Sequence, residues 1–284
     1  MKQEFIRFES IDNIELPGIL YTPNTKTNRV VIHVHGLNGN FYENRFIDIL
    51  AKSYTENNYA FLTFNNRGRD FITELLKGNE FTIIGGSLER FKDCILDIDG
   101  IVNWVKDRGY DEIILEGHSY GCNKVLYYYN NKKSNIIKKI VLLAPCDIPS
   151  ECIKFLSSEE YEKAKSESTR LVEEGKENEL IDFSVMANGK IGAGTFYYDF
   201  LPGGENDFIR YGDLKSELLN NIDIPLLVIF GDIDECVLTK PIEVVKQYLK
   251  DNLRDVNIQI ISGADHSYTG KYNELGEIIK NNMK

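Results

Sequence analysis

The sequence predicts an α/β fold: a mostly parallel, doubly wound sheet flanked by helices, with one long insert. Three observations carry this expectation. Short, continuous Val/Ile/Leu runs recur at 30–34, 60–64, 113–115, 140–143, 226–230 and 258–261. Runs without polar alternation are strands buried on both faces, the signature of a parallel sheet. Helical patterns separate the runs, and the segment from about 150 to 214 breaks that alternation.

The bulk numbers agree with one sizeable unit. A chain of 284 residues with 42 % hydrophobic residues fills a real core. Forty-four acidic against 33 basic residues give a net charge of −11, which repels phosphate backbones, so no nucleic-acid partner is expected. The only basic cluster, Lys132-Lys133 with Lys138-Lys139, reads as a solvated helix-to-strand connection. The start, Met1-Lys2-Gln3-Glu4-Phe5, has no apolar run behind its charge, and no stretch approaches the ~20 apolar residues of a membrane span. The expected location is the cytoplasm. Five scattered cysteines (94, 122, 146, 152 and 236) contain no Cys-x-x-Cys pair, so reduced thiols are expected and neither metal nor cofactor is called for.

Along the chain, residues 5–8 and 19–21 read as a hairpin around a Pro17-Gly18 turn. The β-branched run 30–34 ends in His35-Gly36, and a helical stretch over 42–54 places Phe46, Ile49 and Leu50 on one face. A longer helix is expected over 88–106, because Leu88, Phe91, Ile95, Ile98, Val102 and Val105 recur at three- and four-residue steps. Ser87 is its candidate N-cap, Glu89 suits its positive end, and Gly109 lies where a left-handed residue follows a helix. After 140–143 come a charged helical stretch at 158–181 and a glycine- and aromatic-rich segment at 183–208, with Phe196, Tyr197, Tyr198 and Phe200. The division expected is a core of 1–148 and 215–284, with 149–214 inserted as a cap or lid. The aromatics of the insert either meet an apolar substrate or simply bury the cap on the core.

The chemistry gathers at Gly117-His118-Ser119-Tyr120-Gly121, between the strand 113–115 and a helical stretch at 122–129. A serine on so tight a strand-to-helix turn projects from the sheet edge onto the amides and positive end of a helix. The bland alternative is an N-cap serine in a structural turn. A hydroxyl needs a base, and elimination among four histidines leaves one. His33 lies inside a strand, His35 ends it in a turn, and His118 is adjacent to Ser119 and turned away from the hydroxyl. His266, in the loop Gly263-Ala264-Asp265-His266-Ser267 after the last run, is the candidate base. The orienting acid comes from Gly231-Asp232-Ile233-Asp234-Glu235. Asp234, beyond the tight turn, is preferred; Asp232 suits a turn-former, and Asp147 remains a third choice. Oxyanion donors are expected from the amide of Tyr120 and from that of Leu37, in His35-Gly36-Leu37-Asn38-Gly39-Asn40. Arg67 and Lys190 are candidate contacts for an acidic substrate.

These segments resemble the nucleophile elbow, oxyanion turn, acid loop and histidine loop of alpha/beta-hydrolase esterases. The His-Gly-x-x-Gly-Asn turn is similar to that of feruloyl/cinnamoyl-ester hydrolases, and the Ser119 region to that of siderophore esterases. The resemblance covers 1–148 and 215–284 but not the insert. It departs at Asn65-Asn66-Arg67-Gly68-Arg69-Asp70, where many relatives carry Asp-x-Arg-Gly-x-Gly. It implies the alpha/beta-hydrolase fold and a serine hydrolase acting on a small-molecule carboxylic ester, with the order Ser119, Asp234, His266. The same triad also serves acyltransferases, thioesterases and peptidases, and the fold also hosts non-catalytic binding proteins.

Overall fold

The computed structural model describes residues 1–185, 189–213 and 215–283. Strands β1 (Lys2–Glu9), β2 (Glu15–Thr22), β3 (Arg29–Val34) and β4 (Ala60–Phe64) lead, with helix α1 (Phe46–Glu56) crossing from β3 to β4. A small hairpin follows, β5 (Thr73–Lys77) with β6 (Glu80–Ile84), then α2 (Cys94–Lys106), β7 (Glu112–His118), α3 (Tyr120–Lys132) and β8 (Ile137–Leu143). Next come α4 (Ile148–Phe155), α5 (Ser158–Glu173), the pair β9 (Leu180–Val185) and β10 (Gly189–Gly192), the short α6 (Ala193–Thr195) and a π-helical turn at Phe196–Phe200. The chain closes with α7 (Glu217–Asn220), β11 (Leu226–Gly231), α8 (Ile242–Asn252), β12 (Val256–Ile261) and α9 (Tyr272–Asn282). Eight strands form one sheet in the order β1-β2-β4-β3-β7-β8-β11-β12, parallel from β4 to β12 and antiparallel at β1 and β2. This is the alpha/beta-hydrolase fold that the sequence motifs imply.

The strand period of two explains why the runs are uniformly apolar. Val30, Ile32 and Val34 face one core with Ile98, Val102 and Val105 of α2 and Val125 and Leu126 of α3. Val31 faces the other with Phe46, Leu50 and Tyr54 of α1 and Leu275 and Ile279 of α9. Each such side chain contributes about 1.5–3 kcal/mol by leaving water, and a polar residue without a partner is costly on either face. The exception proves instructive. His33 and Glu116 are fully buried on neighbouring strands, with Nδ1 of the histidine 2.7 Å from the carboxylate, and the Tyr54 hydroxyl donates to the second carboxylate oxygen. Glu116→Ala should strip both partners of their acceptor and cost about 3–5 kcal/mol in urea unfolding; a loss below 1 kcal/mol would remove the trio from the account of stability.

Three local expectations need correction. Pro17-Gly18 is not a turn: both residues lie inside β2, opposite Arg7 and Ile6. A Cβ on Gly18 would stand 2.6 Å from the Thr63 carbonyl oxygen, so glycine is there to let β4 approach. The turn is built instead at 10–14, where the Ser10 hydroxyl accepts from the Ile14 amide and Asn13 takes φ +65°. The long helix begins at Cys94, after a 3-10 turn at Phe91–Asp93, rather than at 88. Ser87 and Glu89 do not start it. The Ser87 hydroxyl donates to the Lys190 carbonyl, and Glu89 is buried against Lys124 of α3 at 2.8 Å. Gly109 does adopt the expected positive φ, +85°. Finally, α5 ends at Glu173, and the rest of the stretch expected to be helical leads into β9.

The basic cluster is held locally: Lys132 pairs with Asp99 at 2.7 Å, and Lys138 and Lys139 donate to the carbonyls of Asn135 and Asn282. Among the described residues no helix is long and apolar enough to cross a membrane. Leu214, the expected end of the insert, lies outside the described residues.

Candidate active site

The elbow follows from two glycines. A Cβ on Gly121 would stand 2.1 Å from the Val34 carbonyl oxygen, and one on Gly36 2.9 Å from the Ser119 Cβ. Without those side chains α3 starts against β3, and the turn after β3 lies directly beside the serine. Ser119 then takes φ +56°, ψ −129°, a conformation that L residues rarely adopt and that persists only where the surroundings impose it. Its amide donates to the Leu143 carbonyl at 2.8 Å, which pins the turn to β8.

Opposite the serine, the loops after β11 and β12 meet. His266 Nδ1 lies 2.9 Å from Asp234 Oδ2. Because a carboxylate only accepts, Nδ1 carries the proton and Nε2 keeps its lone pair. Asp234 is buried, and its other oxygen accepts from the amides of Cys236 and Val237 at 3.0 and 3.3 Å. The two rival carboxylates are engaged elsewhere. Asp232 is exposed and accepts from the Gly263 amide and the Ser262 hydroxyl. Asp147 caps α4 through the Ser150 amide and also accepts from the Tyr211 amide.

His118 joins the two halves of the site. Its Nε2 donates to the His266 carbonyl at 2.9 Å, and the two imidazoles are 4.8 Å apart between centroids. Burial and the neighbouring His266 hold its pKa well below the usual imidazole value, so it is a neutral donor. Among the described residues the Ser119 hydroxyl neighbours the Cys146 thiol, 3.5 Å away, and makes no hydrogen bond to His266. Cys146, just past β8, is a neighbour that sequence reasoning missed. So is Glu151 of α4, fully buried with neither carboxylate oxygen hydrogen-bonded, whose pKa burial and the nearby Asp147 and Asp234 raise well above the carboxylate range. Only a fold-level contact brings either to the site, so a linear pattern carries no sign of them.

The turn after β3 is held from below. His35 Nδ1 donates to the Gly36 carbonyl at 2.8 Å, and its Nε2 accepts from the Asn66 amide at 3.1 Å. The Asn66 side chain in turn accepts from the Gly68 amide and the Lys124 amine. The Asn-Asn-Arg-Gly departure therefore keeps its turn. Among the described residues the amides of Leu37 and Tyr120 donate to no protein acceptor. Burial and the charge of Lys124 press the pKa of His35 down to about 3. A folded pKa below the unfolded one stabilises the protein above about pH 6.5, and that contribution is lost on acidification at about 1.4 kcal/mol per pH unit for each such histidine. The imidazole proton resonances of His35 and His118 should accordingly stay at their neutral positions from pH 8 to 5; titration of either near 6.5 would contradict the buried, neutral assignment.

Arg67 is not available to a substrate. It is buried between Asp97 and Asp12, 2.7 Å from each. Lys190 is exposed on β10, and its carbonyl is the acceptor for Ser87. The aromatics of the insert are spent largely on packing. Phe196 and Phe200 are fully buried, with Phe200 5.9 Å from the Tyr120 ring, and Phe208 packs on Phe91 and Tyr127.

Solved structures of similar shape are alpha/beta hydrolases. Est1E from Butyrivibrio proteoclasticus, with ferulic acid bound, matches with a TM-score of 0.68 and 20 % identity over 97 % of both chains. An alpha-beta serine hydrolase homologue from Coxiella burnetii matches at 0.61 and 19 % over 100 % of this chain and 99 % of its own. XC6422 from Xanthomonas campestris, an a/b serine hydrolase without lid, matches at 0.58 and 15 % over 99 % and 93 %. At such identities the likeness establishes the fold. No curated protein matches the sequence. The model of a family described as proteins of unknown function, DUF1749, matches residues 18–281, and the chain belongs to that family.

Proposed function

We propose that the protein is a serine hydrolase that cleaves a carboxylic ester through an acyl-enzyme on Ser119. The observation that carries this reading is the His266–Asp234 pair, 2.9 Å apart, whose histidine carbonyl is bonded to His118, the neighbour in sequence of a serine in strained backbone geometry. With Nδ1 bound to Asp234, Nε2 of His266 accepts the hydroxyl proton as Ser119 attacks the ester carbonyl. The hydroxyl must first rotate from Cys146 towards Nε2, and such bonds commonly tighten only with substrate in place. The oxyanion then meets the amides of Leu37 and Tyr120, at the turn after β3 and the start of α3, the second also the positive end of that helix. His266 returns its proton to the leaving alkoxide, activates a water, and so releases the acid. Asp234 keeps the tautomer and stabilises the imidazolium without taking the proton.

Residues 149–214 serve as the cap over this centre. In support, Lys154 of α4 donates to the carbonyls of Glu235 and Leu238, which ties the insert to the acid loop, and Ser119 retains only 9 % of its exposure. Ferulic acid is bound to Est1E, which makes aryl esters a reasonable first panel alongside acyl esters of graded chain length. Turnover of activated esters by the wild-type chain, lost in Ser119→Ala, is the expected result. Product analysis with a competing alcohol or amine then separates hydrolysis from acyl transfer by the same triad.

A further inference from the structure

The acid loop carries a second set of donor atoms that the hydrolytic reading does not use. Cys236 follows Asp234 by two residues, and its amide is bonded to the Asp234 carboxylate, so thiol and carboxylate share one short turn. The histidine loop brings His266 against the same point. One ligating atom each from Asp234, Cys236 and His266 lies within 4.8 Å of the others. We propose that these three residues form a binding site for a soft divalent cation, zinc, which reversibly shuts down the hydrolase; this rests on His266 being the base, as read above.

The donor set suits the ion. Thiolate, imidazole and carboxylate are the ordinary ligands of zinc, at about 2.0–2.3 Å, which places ligand atoms roughly 3.3–3.8 Å apart in a tetrahedral centre. His266 Nδ1 and Asp234 Oδ2, 2.9 Å apart, must open by a few tenths of an ångström, while the Cys236 sulfur draws in by up to about 1 Å, within reach of a rotation of its side chain. Asp234 is buried while Cys236 and His266 are half-buried, so the site is not sealed from solvent. A carboxylate and a thiolate together neutralise the dication in a chain whose net charge is −11.

The geometry also states why zinc inhibits. Nδ1 of His266 now holds a proton shared with Asp234. A metal at Nδ1 takes that place, and the neutral ring then carries its proton on Nε2. A protonated Nε2 has no lone pair for the Ser119 hydroxyl. Zinc binds a thiolate, so the Cys236 thiol must give up its proton to ligate. Each zinc taken up therefore releases the thiol proton to solvent, and the imidazole proton moves from Nδ1 to Nε2 by exchange with water. No disulfide or zinc motif in the sequence announces this site, because its ligands come from two loops and only the acid loop holds a cysteine, a solitary one.

The test measures zinc binding to the full chain by competition with a chromophoric chelator, with the hydrolysis rate followed in parallel and each variant referred to its own metal-free rate. Cys236→Ser is the diagnostic substitution, and Asp232→Asn, a neighbouring exposed carboxylate, is the control. One zinc per chain, rate loss that saturates with binding and reverses with a chelator, and an affinity lowered about tenfold or more in Cys236→Ser but not in the control are expected. Cobalt in place of zinc should show a thiolate charge-transfer band that Cys236→Ser lacks. No zinc binding by the wild type, or equal binding by Cys236→Ser, overturns the site. Zinc bound through Cys236 by a chain that hydrolyses no ester without metal contradicts the hydrolase reading and leaves the site standing; ester hydrolysis indifferent to zinc does the reverse.

Discussion

Ser119→Ala is expected to lower turnover of an activated ester by about 10⁴–10⁶-fold while leaving the fold intact. The size follows from what the hydroxyl does. Every later step runs through the ester bond it forms, and no other side chain at the site supplies a substitute in the same place. The Cys146 thiol is the nearest competitor, 3.5 Å from the serine oxygen. Burial raises its pKa well above the usual thiol value, so it remains protonated and a poor nucleophile. The substitution removes one oxygen and keeps the backbone bond from residue 119 to Leu143. An unfolding free energy within about 1 kcal/mol of wild type is therefore expected. Residual rate above the uncatalysed reaction would come from the amides of Leu37 and Tyr120, which the substitution leaves in place. Loss of less than tenfold would mean that the serine is a turn residue and the chemistry lies elsewhere.

The next largest effect is expected at the acid. In Asp234→Asn the side-chain oxygen still accepts from the amides of Cys236 and Val237. The side-chain nitrogen then faces His266 Nδ1 and donates to it. That forces the imidazole proton onto Nε2, the nitrogen that must receive the proton of Ser119. A tautomer error of this kind costs about 10⁴ in kcat near neutral pH, with little change in geometry. Asp232→Asn offers the contrast, because Asp232 is exposed and, among the described residues, bonds Gly263 and Ser262 rather than His266. It should change the rate by less than about threefold and stability by about 0.5 kcal/mol or less. A steep loss in Asp232→Asn with near-normal rate in Asp234→Asn would exchange the two roles and undo the reading of the loop.

The contrast between these two carboxylates marks how far the sequence can be read. The strands were legible because both faces of the sheet are covered, so the runs at 30–34, 140–143 and 226–230 stay apolar without alternation. The elbow was legible because only glycine fits at 117 and 121, and that requirement leaves a local pattern. Features set by distant partners were not. Glu89 looks like a helix start, but Lys124, 35 positions away, claims it for a buried ion pair. Pro17-Gly18 looks like a turn until β4 arrives beside it. Arg67 looks like a free cation until Asp12 and Asp97 close on it. The hairpin of β5 and β6 escapes the rule altogether, since Phe81 and Ile83 are exposed and its short strands lie outside the main sheet. For the same reason Cys146 and Glu151 gave no signal. Their position near the site is a property of the tertiary fold, and nothing in their own neighbourhood along the chain announces it.

The central claim is that Ser119 is the residue that becomes acylated, and a covalent label reads it directly. A fluorophosphonate probe reacts with an activated serine, and peptide mass spectrometry then locates the adduct. The expected result is a single adduct on the peptide carrying Ser119, absent from Ser119→Ala and strongly slowed in Asp234→Asn. An adduct on another residue, or labelling undiminished in Ser119→Ala, would contradict it.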